Sequence, residues 1–479
     1  MRRAAIPPEE VKVLDINSSY LGVRTITLME NAGAAVAKHV LGSLRGGGRV
    51  AIVCGKGNNG GDGFVAARYI ATASTQVDLF LVEPESDVSS DISRANLERA
   101  RECLKPIGQF EPRGYDVIVD AMLGVGLQGR PRDPYAKYIR IINQSKRTVV
   151  SVDVPSGWPS DLQVAPSATV TFHAPKTGMT PKNSGKIVVE DIGIPQEAEL
   201  YCGPGEFSLL PRRSKDAHKG DAGRVLVIGG GPYTGAPAFT GMAAMRSGAD
   251  LTFVSTPESS ALPVAIYSPN IIVRPLPGDI LDESHVDDLV DFSKGVDVVA
   301  IGPGLGNDSQ TIEAVQQIIK KIDRPLVVDA DAIGACGAKR DILRGKLGVI
   351  TPHAGEFKKL TGKTLPVDDI DRRADEVLRA ASALRMTVLL KGPIDVVSDG
   401  AHVKLNRVHN DAMTVGGTGD VLTGAVAGFM AQKASPFTAA RLGAFTVGLA
   451  GSLAFEERSY GLLATDVIEK IPLVVRRYF

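Results

Sequence analysis

Apolar positions along the chain fall into two alternating series. From about residue 25, Met29, Ala32, Val36 and Val40 recur at helical spacing, and apolar runs follow at 50–53, 77–82, 117–120 and 148–152. The segments between these runs are long enough for crossover helices. Nearly continuous apolar strands between helices predict a parallel sheet covered on both faces. A second series opens at Arg224-Val225-Leu226-Val227-Ile228 and continues through 251–254, 297–301, 325–329, 347–350 and 387–390. It ends in two small-residue-rich helical patterns, 416–430 and 435–457, suited to tight packing. The fold expected is α/β, with two doubly wound domains that share no alignable repeat. Between the series lie Cys202-Gly203-Pro204-Gly205-Glu206 and the polar stretch 211–216. These breakers place a join near residue 207 and divide the chain into 1–207 and 208–479.

Composition narrows the class of protein. A chain of 479 residues with 44% hydrophobic content has material for two to four domains with substantial cores. Its 54 basic and 54 acidic side chains cancel, so no overall field favours nucleic acid or an anionic membrane, and neither partner is expected. Cys54, Cys103, Cys202 and Cys336 are far apart and form no C-x-x-C pair, which points away from a zinc cluster or disulfide framework and toward a reducing cytoplasm. The N-terminal Met1-Arg2-Arg3-Ala4-Ala5-Ile6-Pro7-Pro8 has basic residues without an apolar core behind them, so neither export nor membrane insertion is expected.

Candidate chemistry sits at strand ends. The run 50–53 leads into Gly55-Lys56-Gly57-Asn58-Asn59-Gly60-Gly61-Asp62-Gly63, where five glycines surround two amides and a carboxylate ahead of a helix expected from Phe64. Glycine lets backbone amides approach an anion, and a helix N-terminus would face a phosphate. The loop has neither the usual G-x-G-x-x-G form nor the Gly-Lys-Ser/Thr of a P-loop. Two further strand ends follow: Val119-Asp120-Ala121-Met122-Leu123-Gly124-Val125-Gly126-Leu127-Gln128-Gly129-Arg130 and Ser151-Val152-Asp153-Val154-Pro155-Ser156-Gly157. Singly, Asp120 can cap a helix, Asp153 can form an Asx-turn and Ser156 can initiate a helix. Three such loops on one sheet edge point to a shared pocket.

The second series repeats the logic with different residues. Gly229-Gly230-Gly231-Pro232-Tyr233-Thr234-Gly235-Ala236-Pro237, Ile301-Gly302-Pro303-Gly304-Leu305-Gly306, Val327-Val328-Asp329-Ala330-Asp331 and Thr351-Pro352-His353-Ala354-Gly355-Glu356 each follow or end an apolar run. In Thr414-Val415-Gly416-Gly417-Thr418-Gly419-Asp420-Val421-Leu422-Thr423-Gly424 a glycine-rich turn enters an apolar helix with a carboxylate in its first turn. Backbone amides there can hold transferring phosphate charge while Asp420 accepts a proton from a nearby hydroxyl. Asp420 can equally be a charge placed favourably on the helix dipole, and His353 a turn residue.

GKGNNGGDG, VDAMLGVGLQGR and VDVPSG, in that order, resemble the epimerase domain of the NAD(P)H-hydrate repair family, and Ala174-Pro175-Lys176 and Asp191-Ile192-Gly193-Ile194-Pro195 resemble its closing elements. The segment from Trp158 to Ala168 looks shorter than is usual there. GPGLG, TPHAGE and GGTGD resemble the family's dehydratase domain, which is ribokinase-like, with Thr351 in place of a frequent Asn. The resemblance implies an N-terminal Rossmann-like domain that interconverts the R and S forms of hydrated NADH and NADPH. It implies a C-terminal domain that dehydrates the S form at the expense of ADP, giving AMP and phosphate; eukaryotic relatives use ATP. It assigns Asn58, Asn59, Gly60, Gly61, Asp62, Gly124, Val125, Gly126, Leu127, Gln128, Gly129, Arg130 and Asp153 to the hydrate in the first domain, and Asn59, Asp120 and Ser156 to a potassium ion. Asp153 is a candidate for proton handling or for holding the hydroxyl.

In the second domain the resemblance places Ala236, Gly304 and His353 on the hydrate and makes Asp420 the catalytic base. Lys391, Gly392, Pro393, Ile394 and Asp395, with Asp411, Ala412, Met413, Thr414, Val415, Gly416, Gly417, Thr418 and Gly419, would hold the nucleotide. Magnesium is expected with the nucleotide, because it offsets phosphate charge. A homo-oligomer is expected. Two other functions fit parts of the chain: a ribokinase-like small-molecule kinase with an N-terminal nucleotide-sensing domain, and an N-terminal nucleotide-binding module that tethers partners.

Overall fold

The computed structural model describes residues 4–44, 47–73 and 75–479. Of the N-terminal stretch read above, Met1, Arg2 and Arg3 lie outside the described residues. The chain forms two compact units, one ending at Ala198 and one spanning Glu199–Phe479. The join expected near residue 207 falls inside the second unit, because the segment after Ala198 is tied into it. Tyr201 bridges to Leu405, the Cys202 N–H donates to Leu405 O at 2.7 Å, and Phe207 packs edge-on against Phe429. Glu206 pairs with Arg441 at 2.9 Å, with neither side chain more than 1% exposed. The polar stretch 211–216 is an exposed excursion of that unit.

In the first unit, seven strands form one parallel sheet: β1 (Arg49–Cys54), β2 (Gln76–Leu81), β3 (Leu104–Lys105), β4 (Val117–Ala121), β5 (Thr148–Val152), β6 (Ala168–Phe172) and β7 (Lys186–Glu190). Their order is β3-β2-β1-β4-β5-β6-β7. Alternate residues of β1 serve opposite faces: Val50 and Ile52 enter one apolar core, Ala51 and Val53 the other. Helices α1 (Pro8–Tyr20), α2 (Thr25–Ser43) and α3 (Asn58–Thr72) lie on this unit. The spaced residues Met29, Ala32, Val36 and Val40 are the buried face of α2, as predicted. That face comes so close to α3 that a Cβ on Gly33 would stand 2.4 Å from Val65 Cβ. Strand order reverses between β1 and β4, which opens a crevice beyond their carboxyl ends.

The second unit carries a nine-stranded sheet in the order β10-β9-β8-β11-β12-β13-β14-β15-β16. Its strands are β8 (Arg224–Ile228), β9 (Leu251–Pro257), β10 (Ile272–Leu276), β11 (Val298–Ile301), β12 (Leu326–Val328), β13 (Gly348–Ile350), β14 (Thr387–Leu390), β15 (Asp395–Ser398) and β16 (Val403–Asn406). All pair in parallel up to β14, and β15 and β16 continue as antiparallel strands. Here the order reverses between β8 and β11. Cores on both faces complete the doubly wound arrangement.

Small residues set the helix packing on this sheet. A Cβ on Gly424 of the helix Thr418–Ala431 would meet Thr240 O at 2.1 Å, and one on Gly428 would meet Ala244 O at 2.5 Å, both in the helix Gly235–Arg246. The segment Pro436–Gly461 is long and apolar enough to cross a membrane, but 78% of its most apolar stretch is buried inside the unit, so its apolarity is that of a core helix.

Candidate active sites

The first site lies at the carboxyl ends of β1, β4 and β5. The helix α3 begins at Asn58, so Asn58–Asp62 form its first turn, whereas the sequence suggested a loop reaching to Phe64. The glycines permit this. A Cβ on Gly60 would meet Gly55 O at 1.9 Å, and one on Gly63 would meet Cys54 Sγ at 2.5 Å and Ala121 Cβ at 2.7 Å. These glycines seat the helix against the strand ends, and the amide and carboxylate side chains between them face a cavity of about 790 Å³.

That cavity is lined by Asn58, Asn59, Asp62, the segment 124–128 and Asp153, so the structure brings these expected residues together. Gly60 and Gly61 are buried outside its lining. Gly129 and Arg130 are also outside it, and Arg130 pairs with Asp161 at 3.2 Å on the surface, with both side chains mostly exposed.

Asp120 is fully buried below the crevice. Its carboxylate accepts from Ser151 Oγ at 2.8 Å, from the Ser156 N–H at 2.8 Å, from the Met122 N–H at 3.4 Å and from Ser156 Oγ. Burial raises this carboxyl above its ordinary value despite the Ser156 and Ser151 hydrogen bonds. Among the described residues Asp120 has no ion pair, and Asn59, stacked against Gly124, has a buried Nδ2 without a partner. A buried carboxylate asks for a positive charge. With the Ser156 hydroxyl and the Asn59 amide oxygen, the donor set suits a hard, weakly demanding cation such as potassium.

Asp153 and Lys176 form the charged centre of the cavity. Asp153 holds a left-handed backbone at φ +63° and His173 another at φ +66°, conformations that non-glycine residues keep only where the surroundings impose them. Lys176, 1% exposed, contacts Asp153 Oδ1 and donates to Thr171 Oγ1 at 2.8 Å and Phe172 O at 3.1 Å. Thr171 Oγ1 in turn lies 3.3 Å from Asp153 Oδ1. Sequence reasoning named Lys176 only as part of a closing element and missed Asp15 entirely; both line the cavity. Burial and the nearby Asp153 charge raise the Asp15 carboxyl to about 6, with Lys176 opposing. Burial, then Asp153 and Asp15, push Asp62 well above its ordinary value.

The second site surrounds the N-terminus of the helix Thr418–Ala431. Its first residue follows Gly417, held at φ +97°, where a Cβ would strike the Phe239 ring at 2.7 Å. Asp420 stands in the first turn. Burial raises its carboxyl to about 7, assisted by the Asp329 charge and opposed by Lys391. Asp329, at the end of β12, is 1% exposed and accepts from Lys391 Nζ at 2.8 Å, Thr351 Oγ1 at 2.8 Å and Thr423 Oγ1 at 2.7 Å. Desolvation lowers the Lys391 ammonium, but Asp329, Glu356 and Asp420 outweigh it and leave the group above its usual value. Lys391 Nζ lies 3.5 Å from where a Gly419 Cβ would stand, which sets a fixed positive charge at the glycine-rich turn.

The remaining expected residues divide. Gly304, at φ +73°, packs within 3.2 Å of Ala236 Cβ when a Cβ is built on it, so the loops after β8 and β11 meet. His353 caps the helix Ala354–Thr361: its Nδ1 accepts from the Gly355 N–H at 2.9 Å, and Nε2 lies 3.4 Å from Glu356. Within 391–395, Asp395 is spent on structure, accepting from the Gly392 N–H and Asn406 Nδ2, each at 3.0 Å. Segment 411–414 is a short 3-10 turn capped by Asn410, whose Nδ2 is buried without a partner. Asp329, Thr423 and Glu356, which stood in the quoted motifs without an assigned role, belong to this site.

Comparisons with known proteins match both units. A family model described as YjeF-related protein N-terminus matches residues 25–178, and one described as NAD(P)H-hydrate dehydratase matches residues 225–473. The chain is 43% identical to a bifunctional NAD(P)H-hydrate repair enzyme of Pyrobaculum aerophilum, over 98% of this chain and 97% of that protein. It is 42% identical to one of Hyperthermus butylicus, over 98% and 91%. Among solved structures, a ribokinase-like superfamily protein from Enterococcus faecalis shares 27% identity, covering 58% of this chain and 96% of its own, with a TM-score of 0.50.

Proposed function

The chain belongs to the bifunctional NAD(P)H-hydrate repair family, and from that membership we propose that each unit performs one of two consecutive reactions at its own switch-point site. The first unit interconverts the R and S epimers of hydrated NADH and NADPH. The second dehydrates the S epimer, with ADP as phosphoryl donor. The observation that carries this is the pairing, in one chain, of a buried Asp153–Lys176 pair lining a cavity with Asp420, whose carboxyl is raised to about 7, beside an anion-accepting helix N-terminus.

In the second unit, Asp420 takes the proton of the C6 hydroxyl as that oxygen bonds to the terminal phosphorus of ADP and AMP leaves. The phosphate then departs from C6 with its bonding pair and takes up the proton that C5 loses, which restores the reduced ring. A carboxyl near neutral pH is matched to this exchange. Lys391 and the amides at Gly417–Gly419 offset the phosphate charge, and Asp329 fixes Lys391 for that task. Magnesium, brought with the nucleotide, would supply further charge neutralisation; Glu356 and Asp331 are carboxylates near Asp420 that would help hold it. Ala236, Gly304 and His353 are assigned to the hydrate, and 391–395 and 411–419 to the nucleotide.

In the first unit, Asn58, Asn59, Asp62, the segment 124–128 and Asp153 are assigned to the hydrate. Asn59, Asp120 and Ser156 would hold potassium, which when bound neutralises the buried Asp120 and fixes the two loops against each other. The test is recovery of reduced-nicotinamide absorbance from an R/S mixture of hydrated NADH, with magnesium and potassium, comparing ADP, ATP and no nucleotide. Complete nucleotide-dependent recovery with ADP is the expected result. Recovery that stops at the S fraction would remove the epimerase assignment. Accumulation of a phosphorylated hydrate without reduced product would favour the kinase reading.

A further inference from the structure

Three carboxyls line the first-unit cavity, supplied by separate elements: Asp15 by α1, Asp62 by α3 and Asp153 by the turn after β5. Only one buried ammonium serves them. Lys176 spends its donors on Asp153, Thr171 and Phe172. Asp153 is therefore the one carboxyl of the three that the buried ammonium contacts. Asp15 and Asp62 receive no hydrogen bond or ion pair among the described residues, yet both line the cavity that Asp153 lines and feel its charge, and Asp62 feels that of Asp15 as well. Two environments for one residue type separate an acid from a base. The cavity's other titratable side chains are Lys12, Lys56, Tyr135 and His173. Lys56 pairs with Glu83 at 2.9 Å, and the Tyr135 hydroxyl donates to the same carboxylate.

We propose that Asp62 is the general acid of epimerisation and Asp153 the general base, with Asp15 a positioning residue whose charge keeps the proton on Asp62. This rests on the epimerase reading of the first unit. C6 of the hydrate bears a hydroxyl and the ring nitrogen N1, so it is a hemiaminal carbon. Asp153 takes the hydroxyl proton, the O–H pair becomes the second bond of a carbonyl, and the C6–N1 pair passes to N1, which takes the proton of Asp62. Rotation about C5–C6 turns the other carbonyl face to N1. Closure runs the same transfers backwards: N1 attacks C6 and returns its proton to Asp62, while Asp153 returns its proton to the oxygen. Both carboxyls end as they began, and no co-reactant is consumed.

The experiment follows R and S epimers of hydrated NADH by separation on a chiral phase, using the full chain. Asp62→Asn is expected to lower the epimerisation kcat by about 100-fold or more with little change in KM, as loss of a general acid does, and Asp62→Glu to recover part of it. Asp15→Asn removes one contribution to holding the Asp62 proton, after burial and the Asp153 charge, so it is expected to move the high-pH fall of the rate to lower pH. The unfolding midpoint read from Trp158 fluorescence, buried in the first unit, reports that this unit is folded in each variant. An Asp62→Asn chain that keeps its rate, or an Asp15→Asn profile that does not move, overturns the proposal. A wild-type chain that fails to interconvert the epimers overturns the epimerase reading instead.

Discussion

Asp153 and Lys176 are bound to each other's charge. The lysine is 1% exposed and the aspartate side chain 11%, so removing one leaves the other buried and unpaired. Breaking such a pair costs about 3–5 kcal/mol. Lys176→Met should therefore destabilise the first unit by about that amount and slow epimerisation. The chain's one tryptophan, Trp158, is buried in that unit, so urea unfolding followed by its fluorescence reads the loss directly; an unchanged midpoint would show the pair to be dispensable. Asp420 poses the reverse problem. Its folded-state pKa of about 7 lies above the ordinary 3.8, so the folded chain binds the proton more tightly and loses stability as pH rises from one value to the other. Asp420→Asn should raise the melting temperature at pH above about 7 and change it little at pH below about 4. In the wild type, dehydration should rise with pH through about 7 as this base ionises.

At the scale of elements, glycines decide how closely helices approach strands and one another. Gly424→Val would place its side chain against Thr240 O, where even a Cβ stands at 2.1 Å. Overpacking of this kind costs about 1–3 kcal/mol or more. The expected result is a lower melting transition for the second unit and weaker dehydration, because the same helix carries Asp420; a neutral outcome would mean that the helices part freely. Element type was legible where apolar runs were long: β1, β2, β4, β5, β8, β9, β11, β12, β13 and β14 coincide with runs in the sequence. The strands that escaped are a two-residue β3, the alternating β6, and β7, β10, β15 and β16 near sheet edges. Edge strands expose one side and carry polar residues such as Lys186, Glu190 and Arg274, which blurs the apolar signal. The start of α3 was misplaced because glycine and asparagine disfavour helix interiors, and here packing against Gly55 and Cys54 overrides that preference.

For the whole molecule, the motif residues at strand ends were legible, because doubly wound sheets place their ligands there. Their charged partners were not. Asp15 sits in a helix that resembles ordinary surface, and only the fold brings it, and Lys176 from 23 residues downstream, to the cavity of Asp153; Asp329, at a strand end quoted in the sequence, reaches Lys391 and Thr423 across longer stretches of chain. The account requires two sites that fail independently. The most direct measurement gives the Asp420→Ala chain a mixture of both epimers with ADP, magnesium and potassium, and follows R, S and reduced nicotinamide together. The account predicts that R and S continue to interconvert at the wild-type rate while no reduced nicotinamide forms. Equal loss of both activities, or continued formation of reduced nicotinamide, would contradict it.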